Sequence, residues 1–260
     1  MLANYHTHTW RCNHASGTEE SYVEAALDRG MKVLGFSDHT PYFFPGDYYS
    51  GFRMRPEQLA DYCATVLALR KKYAGKIEIP LGLELEYYPA FLPQLLPFLR
   101  DHGVEYLLLG QHFVGNEITD IGNHDHYSGT PTFSEEILRR YCHQTMDAMQ
   151  TGLFTYFAHP DLLFFTGSEE TYRRYMSEIC REAKSCGIPL EMNLLGIREG
   201  RNYPNPLFWE LAAEAGCEVI LGCDAHAPEH LLEEKAEPRA RGLLGNLGIT
   251  PLETVPLCRI

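Results

Sequence analysis

The sequence predicts a single-domain α/β barrel of seven strands, spanning residues 1–260. Three observations point to it: seven short apolar segments, helical segments alternating with them, and side chains of one chemical kind near the segment ends. The apolar segments are "LANYHTH" (2–8), "KVLGFSDH" (32–39), "IEIPLGLELEYY" (77–88), "VEYLLLGQHFV" (104–114), "FTYFAHPDLL" (154–163), "IPLEMNLLG" (188–196) and "EVILGCDAH" (218–226). Most are near-continuous apolar runs, the pattern of strands buried on both faces of a parallel sheet.

Helical segments fill the gaps. "TEESYVEAALDRG" (18–30) opens with Thr18 as N-cap and closes on Gly30. Pro56 stands at the first helical position of "PEQLADYCATVLALRKKYAG" (56–75). The segments 131–152 and 168–187 each carry Ser ahead of acidic residues and Gly at the end. "PNPLFWELAAEAG" (204–216) precedes the last strand. Strand–helix alternation repeated this often is the barrel pattern. Seven repeats, one fewer than the regular barrel has, predict an irregular or incompletely closed ring. Two longer loops, 40–54 and 115–131, have the length of loops that serve a site.

Composition narrows the function. The net charge is −13 and there is no basic run, which opposes a nucleic-acid surface. No apolar stretch approaches the ~18 residues of a membrane span. "MLANYHTHTW" lacks the basic flank and apolar core of a signal peptide, so the expected location is cytoplasmic. The eight cysteines form no CxxC pair, which argues against a zinc ribbon or a redox dithiol. They are expected to be reduced, with Cys12 a bystander among the opening histidines. An acidic protein acting on an anion must supply positive charge locally, and metal ions do so.

The candidate ligands fall near the strand ends. His6 and His8 end the first strand, and Asp38 and His39 the second. Glu84 and Glu86 lie late in the third, His112 late in the fourth, and His159 late in the fifth. Asp224 and His226 end the seventh. In a parallel barrel these ends share one face, where barrel active sites lie. Alternation turns His6 and His8 to one side, and Asp224 and His226 likewise. Any one of these residues alone would be an ordinary structural histidine or a capping carboxylate. Together, at six of seven strand ends with no Lys among them, they form a ligand set. Nitrogen and carboxylate donors without cysteine suit Zn²⁺, Mn²⁺ or Fe²⁺. These ten residues, of which about nine could be ligands, exceed the roughly four to six ligands of one ion and suit two or three.

These residues also carry a family resemblance. HxH on the first strand, "SDH" on the second, "GLE" on the third, "HF" on the fourth, "AHPDL" on the fifth and "DAH" on the seventh resemble the polymerase-and-histidinol-phosphatase (PHP) superfamily. "YVEAALDRGMKVLGFSDHTP", "LGLELEYYP" and "LEMNLLGIR" followed by "YPNP" resemble its monofunctional histidinol-phosphate phosphatases. The resemblance implies a distorted (β/α)7 barrel with a trinuclear metal site. It implies that His6, His8, Glu84 and Asp224 hold the first metal. Glu84 would bridge to a second completed by His112 and His159, with His14, His39 and His226 holding the third. It selects Glu84 over Glu86 and leaves Glu86 as a supporting partner. The implied reaction, in histidine biosynthesis, is hydrolysis of a small phosphate monoester by a hydroxide held between metals. Arg198, placed in the loop after the sixth strand, matches a family arginine and is the expected phosphate contact; Arg53 is a weaker candidate of the same kind. A metal-bound water or Asp38 would protonate the leaving alcohol.

The 115–131 loop departs from the family. Its "NHDHYSG" supplies His124, Asp125 and His126 with no strand beneath them, and is expected to act as a lid or substrate contact. His102, His143 and His230, in helical surroundings, are expected to be structural or exposed. Two alternatives compete with the phosphatase. Attack on a nucleotide, phosphodiester or another small ester by the same site would need, for nucleic acid, a basic groove that the composition opposes. A non-catalytic metal-binding barrel would be expected to have lost ligands, and all nine are present.

Overall fold

The computed structural model describes residues 1–118, 126–232 and 234–260. The first half runs β1 (Ala3–Asn4), α1 (Glu19–Asp28), β2 (Val33–Leu34), β3 (Phe36–His39), α2 (Leu59–Lys72), β4 (Leu81–Leu85), α3 (Leu92–Asp101) and β5 (Tyr106–Leu109). A hairpin of β6 (Phe113–Val114) and β7 (His126–Tyr127) then leads to α4 (Glu135–Gln150), β8 (Tyr156–Phe157) and α5 (Glu169–Cys186). The chain ends with β9 (Leu190–Asn193), α6 (Leu194–Glu199), α7 (Pro206–Ala215), β10 (Val219–Gly222), α8 (Glu229–Leu232) and α9 (Ala236–Asn246). No helix among the described residues is long and apolar enough to cross a membrane.

Six strands form one parallel sheet in the order β10-β9-β8-β5-β4-β3. The N-terminal segment fills the gap between its two edges. β1 pairs parallel with β2, and Ser37 N donates to Thr7 O at 2.9 Å. On the other side His8 N donates to Ala225 O at 2.9 Å and Ala225 N to His6 O at 3.1 Å. The distorted seven-position barrel expected from the sequence therefore forms, closed by short bonds at one seam. Asn4 pins that seam. Its Oδ1 accepts from Cys223 N at 2.8 Å, and its Nδ2 donates to Thr7 Oγ1 at 2.8 Å.

Alternation along the strands sorts the core into two layers. Leu81, Leu83 and Leu85 face the helices with Leu107 and Leu109. Tyr106, Leu108, Tyr156 and Ile220 fill the barrel interior with Tyr5 and Val255. The Tyr106 hydroxyl donates to Tyr5 O at 2.8 Å, and its ring meets the edge of Tyr5. Gly82 and Glu84 share the interior side of β4, and Glu86 follows one residue past its end, so the carboxylates stand above an apolar floor.

The caps read from sequence set the helix starts. Thr18, Ser134 and Ser168 accept from Ser21 N, Ile137 N and Thr171 N. Other expectations need correction. The 104–114 segment leaves the sheet after Leu109, and Phe113–Val114 pairs antiparallel with His126–Tyr127, so part of the 115–131 loop does have a strand beside it. The sixth strand stops at Asn193, whose side chain caps α6 by accepting from Gly196 N. Arg198 therefore lies in a helix and not in a loop. α3, with Pro93 and Pro97 in its sequence, forms where the sequence pattern gives no helix. Pro93 sits in its first turn, where a missing N–H is harmless, and burial of Leu92, Leu95 and Leu99 outweighs the internal Pro97.

Arg53 lies in the 40–54 loop but is buried, and so is withdrawn from phosphate binding. Its guanidinium makes two bonds to Glu86, at 2.9 and 3.1 Å, two to Glu117, at 2.5 and 3.1 Å, and one to Thr40 O at 2.9 Å. These bonds fasten the loop to the end of β4. Arg53→Met leaves two buried carboxylates short of their cation, and should cost about 3–5 kcal/mol in urea unfolding. A loss below about 1 kcal/mol would mean that this cluster does not hold the loop.

Candidate metal centre

The nine residues expected as ligands gather at one mouth of the barrel. Most lie just past the formal strands and not within them. Asp224 follows β10 by two residues with φ +46°, and His159 follows β8 with φ +35°. Both occupy a backbone region that non-glycine residues rarely adopt, and such strain concentrates at functional sites. The backbone turn at Asp224, and not strand alternation, aims its carboxylate.

Glu84 stands at the centre. Its Oε1 lies 2.9 Å from His159 Nε2 and 3.5 Å from His112 Nε2. Its Oε2 lies 3.0 Å from His39 Nδ1, 3.6 Å from His6 Nε2 and 3.7 Å from His8 Nε2. The pairing of β3 with β4 places His39 directly opposite Glu84. Asp224 Oδ1 lies 3.1 Å from His8 Nε2 and 3.6 Å from His6 Nε2. Burial works against ionisation of Glu84, but His112, His6 and His39 hold its carboxyl well below the usual range. Asp224 is held down in the same way by His6 and His8.

The imidazoles cannot all be charged. His8 stacks on His226 at 4.1 Å and lies 4.4 Å from His39. Burial opposes charge on His8, and contacts with Asp224 and Asp38 overcome it, raising its pKa to about 9. Burial and then the charge of His8 push His39 and His226 well below the usual histidine range. The neutral rings of His39 and His226, beside ionised carboxylates, present lone pairs, as metal ligands must.

Supporting residues fix which nitrogen is free. His6 Nδ1 faces Glu191 Oε2 at 2.8 Å, and His112 Nδ1 faces Glu86 Oε1 at 2.9 Å. His14 Nδ1 faces Cys12 O at 2.8 Å, and His226 Nδ1 faces Asp224 O at 3.2 Å. Each oxygen accepts, so each Nδ1 carries a hydrogen and Nε2 is the nitrogen left to face a metal.

The site fits metal by a direct test. His6 Nε2, both nitrogens of His8, His39 Nδ1, Glu84 Oε2, His159 Nδ1, Asp224 Oδ1 and His226 Nε2 are buried without an aligned hydrogen-bond partner. A buried polar group left so costs about 1–3 kcal/mol. Bound cations would satisfy these atoms together. Ligand atoms of His14, His39 and His226 lie within 4.8 Å of one another, as do those of His6, His8 and Glu84, and of His39, Glu84 and His112. Cys12, expected to be a bystander, lies equally close to His8 and His226, and burial keeps its thiol protonated.

Above these residues opens a cavity of about 640 Å³. Its wall includes Phe52, Tyr127, Arg201, Tyr203 and His230, none of which was singled out as a site residue from the sequence. Arg201 pairs with Glu199 at 2.7 Å and donates to the Tyr203 hydroxyl at 3.1 Å. Arg198 does not line the cavity. It reaches the carbonyls of Cys223 and Asp224 at 3.5 and 3.4 Å, and His230 Nδ1 at 3.2 Å. His230, expected to be structural or exposed, stands in the cavity wall. Asp38 is withdrawn as proton donor, because it is buried behind His8, accepting from Thr9 N and His39 N. His126 bonds Thr130 O at 3.0 Å, and His124 and Asp125 lie outside the described residues.

Residues 4–194 match the sequence profile of the PHP domain. The chain belongs to the PHP family. Among PHP relatives it is 31% identical to a probable histidinol-phosphatase of Deinococcus radiodurans, over 87% of each chain. It is 25% identical to the histidinol-phosphatase of Bacillus subtilis, over 85% of this chain and 92% of that one. The histidinol phosphate phosphatase of Lactococcus lactis, solved with Zn, L-histidinol and phosphate, shares the fold. Its TM-score is 0.73 at 22% identity, with 98% of each chain covered.

Two glycines make room for the carboxylates of this PHP site. A Cβ on Gly110 would meet Glu84 Oε1 at 1.9 Å, and one on Gly222 would meet Glu191 Oε2 at 2.1 Å. Gly222→Ala should displace Glu191 and loosen His6. Metal affinity, read by chelator competition, is expected to fall about 10- to 100-fold with the circular dichroism retained. Unchanged affinity would show that Glu191 does not govern His6.

Proposed function

We propose that this chain is a metal-dependent phosphomonoesterase that hydrolyses L-histidinol phosphate to L-histidinol and phosphate. The observation that carries this reading is the set of buried, unpartnered nitrogen and oxygen atoms at the barrel mouth. The PHP relatives named histidinol-phosphatase, and the Lactococcus protein with Zn, L-histidinol and phosphate, support the choice of substrate.

The residues suit two or three divalent ions, Zn²⁺, Mn²⁺ or Fe²⁺. His6, His8, Glu84 and Asp224 would hold one, Glu84 with His112 and His159 a second, and His14, His39 and His226 a third. When bound, such ions polarise phosphoryl oxygens and make hydroxide available near neutral pH. The protein does the rest. Glu191 and Glu86 orient His6 and His112 from behind. Arg201 offers a guanidinium at the cavity wall, and Arg198 acts indirectly by holding the turn that carries Asp224. Phe52, Tyr127 and Tyr203 line the cavity and would flank the leaving alcohol. A volume of about 640 Å³ suits a small ester.

Purified protein supplied with Zn²⁺ or Mn²⁺ is expected to release phosphate from L-histidinol phosphate, and to lose that activity on chelation. Hydrolysis of other monoesters without this one would remove the substrate and leave the class. Faster cleavage of oligonucleotides than of monoesters would remove both. Asp224→Ala should lower turnover at least about a hundredfold while far-UV circular dichroism stays native, because the residue lies at the mouth and outside the apolar core. Full activity in that variant would overturn the ligand assignment.

A further inference from the structure

The clustered histidines His6, His14, His112 and His226 carry hydrogen on Nδ1 and aim Nε2 inward. His230 is built in reverse. Its Nδ1 lies 3.1 Å from the backbone N of His226 and 3.2 Å from Arg198 Nη2. A backbone amide and a guanidinium can only donate. Nδ1 must therefore accept from both, and the neutral ring bears its hydrogen on Nε2. Among the described residues no protein group hydrogen-bonds that Nε2. The ring stands in the cavity wall, four residues beyond His226 on the same turn, with His230 N bonded to Ala227 O at 3.0 Å.

We propose that His230 contacts the substrate, donating its Nε2–H to a phosphoryl oxygen of the ester, and is not a metal ligand. The proposal rests on the phosphomonoesterase reading. A metal would need a lone pair where this ring carries hydrogen, whereas a phosphate oxygen needs the hydrogen. Position selects the phosphoryl end of the substrate over the alcohol. His230 adjoins the turn of Asp224 and His226, at the edge of the ligand cluster, through its bond from His226 N and its shared partner Arg198, which also reaches Asp224 O. Arg201, the guanidinium on the same wall, already shares Glu199, which leaves room for a second donor to the phosphoryl group. Arg198 and the His226 amide hold the tautomer, which makes them positioning groups for this donor.

Two amide substitutions separate the roles of the two nitrogens. In His230→Asn the side-chain oxygen replaces Nδ1, so the His226 amide and Arg198 keep their acceptor while the cavity donor is lost. In His230→Gln the side-chain nitrogen replaces Nε2, so the donor is kept and the Nδ1 acceptor lost. The metal-loaded variants are assayed for kcat/KM on L-histidinol phosphate, for inorganic-phosphate affinity by calorimetry, and for bound metal. The expected result is a loss of about 10- to 100-fold in kcat/KM and in phosphate affinity for His230→Asn, at unchanged metal content. His230→Gln is expected to recover at least about tenfold of the larger loss. Nitrogen-15 spectra of the wild-type ring should show hydrogen on Nε2.

His230→Asn within about twofold of wild type in phosphate affinity would overturn the proposal, because the ring would then serve only to hold the turn. Loss of one metal equivalent in that variant would also overturn it, making His230 a ligand. Failure of the wild type to hydrolyse any phosphomonoester would sink the phosphatase reading. The comparison of phosphate affinity between wild type and variant would still decide the role of His230.

Discussion

The Glu84 carboxylate is fully buried within 2.9–3.7 Å of five imidazoles. An ionised group so placed cannot be satisfied by one hydrogen bond. Its neighbours cannot all become charged to balance it, because their rings crowd within 4.4–5.7 Å of one another. Cations that several of these groups share would satisfy it. Much of the mouth follows from that constraint. Gly110 lacks a side chain where the carboxylate passes, and parallel pairing brings His39 opposite Glu84.

A second tier of buried polar groups keeps the ligands in place. Glu86 serves His112 and is itself gripped by Arg53, which also holds Glu117. Glu191 serves His6 and takes Asn193 Nδ2 at 2.6 Å, and that same amide reaches Asp224 Oδ2 at 3.1 Å. Asp38 steadies the Thr9 turn beneath His8. Below this polar tier lies the tyrosine-lined floor of the barrel. β3 and β9 thus carry the supporting Asp38 and Glu191, Glu86 stands one residue past β4, and the two strained candidate ligands, His159 and Asp224, lie just beyond β8 and β10.

Much of this was legible in the sequence for a physical reason. Strands buried on both faces must be apolar throughout, so their positions stood out, and Thr18, Ser134 and Ser168 marked helix starts by the bonds they make. Ligand-type residues stood out because they end otherwise apolar runs. What stayed hidden depends on contacts across the chain. Glu191 did leave a trace as a lone carboxylate in an apolar strand, but its partner His6 lies 185 residues away. Arg198 and Arg201 cannot be told apart by residue type, since one faces a carbonyl cluster and the other the cavity. His230 looked like a helix-surface histidine because the amide and guanidinium that fix its ring are visible only in three dimensions. α3 was obscured by its prolines, which local rules read as breaks.

The central claim is that the mouth of the barrel is a multinuclear metal centre organised by Glu84. Anomalous diffraction at the zinc edge from crystals grown with Zn²⁺ tests it most directly. The account predicts at least two peaks inside the cluster, one of them about 2.0–2.1 Å from His6 Nε2, with Glu84 contacting two peaks. No peak within reach of Glu84, or zinc bound only elsewhere on the protein, would contradict it.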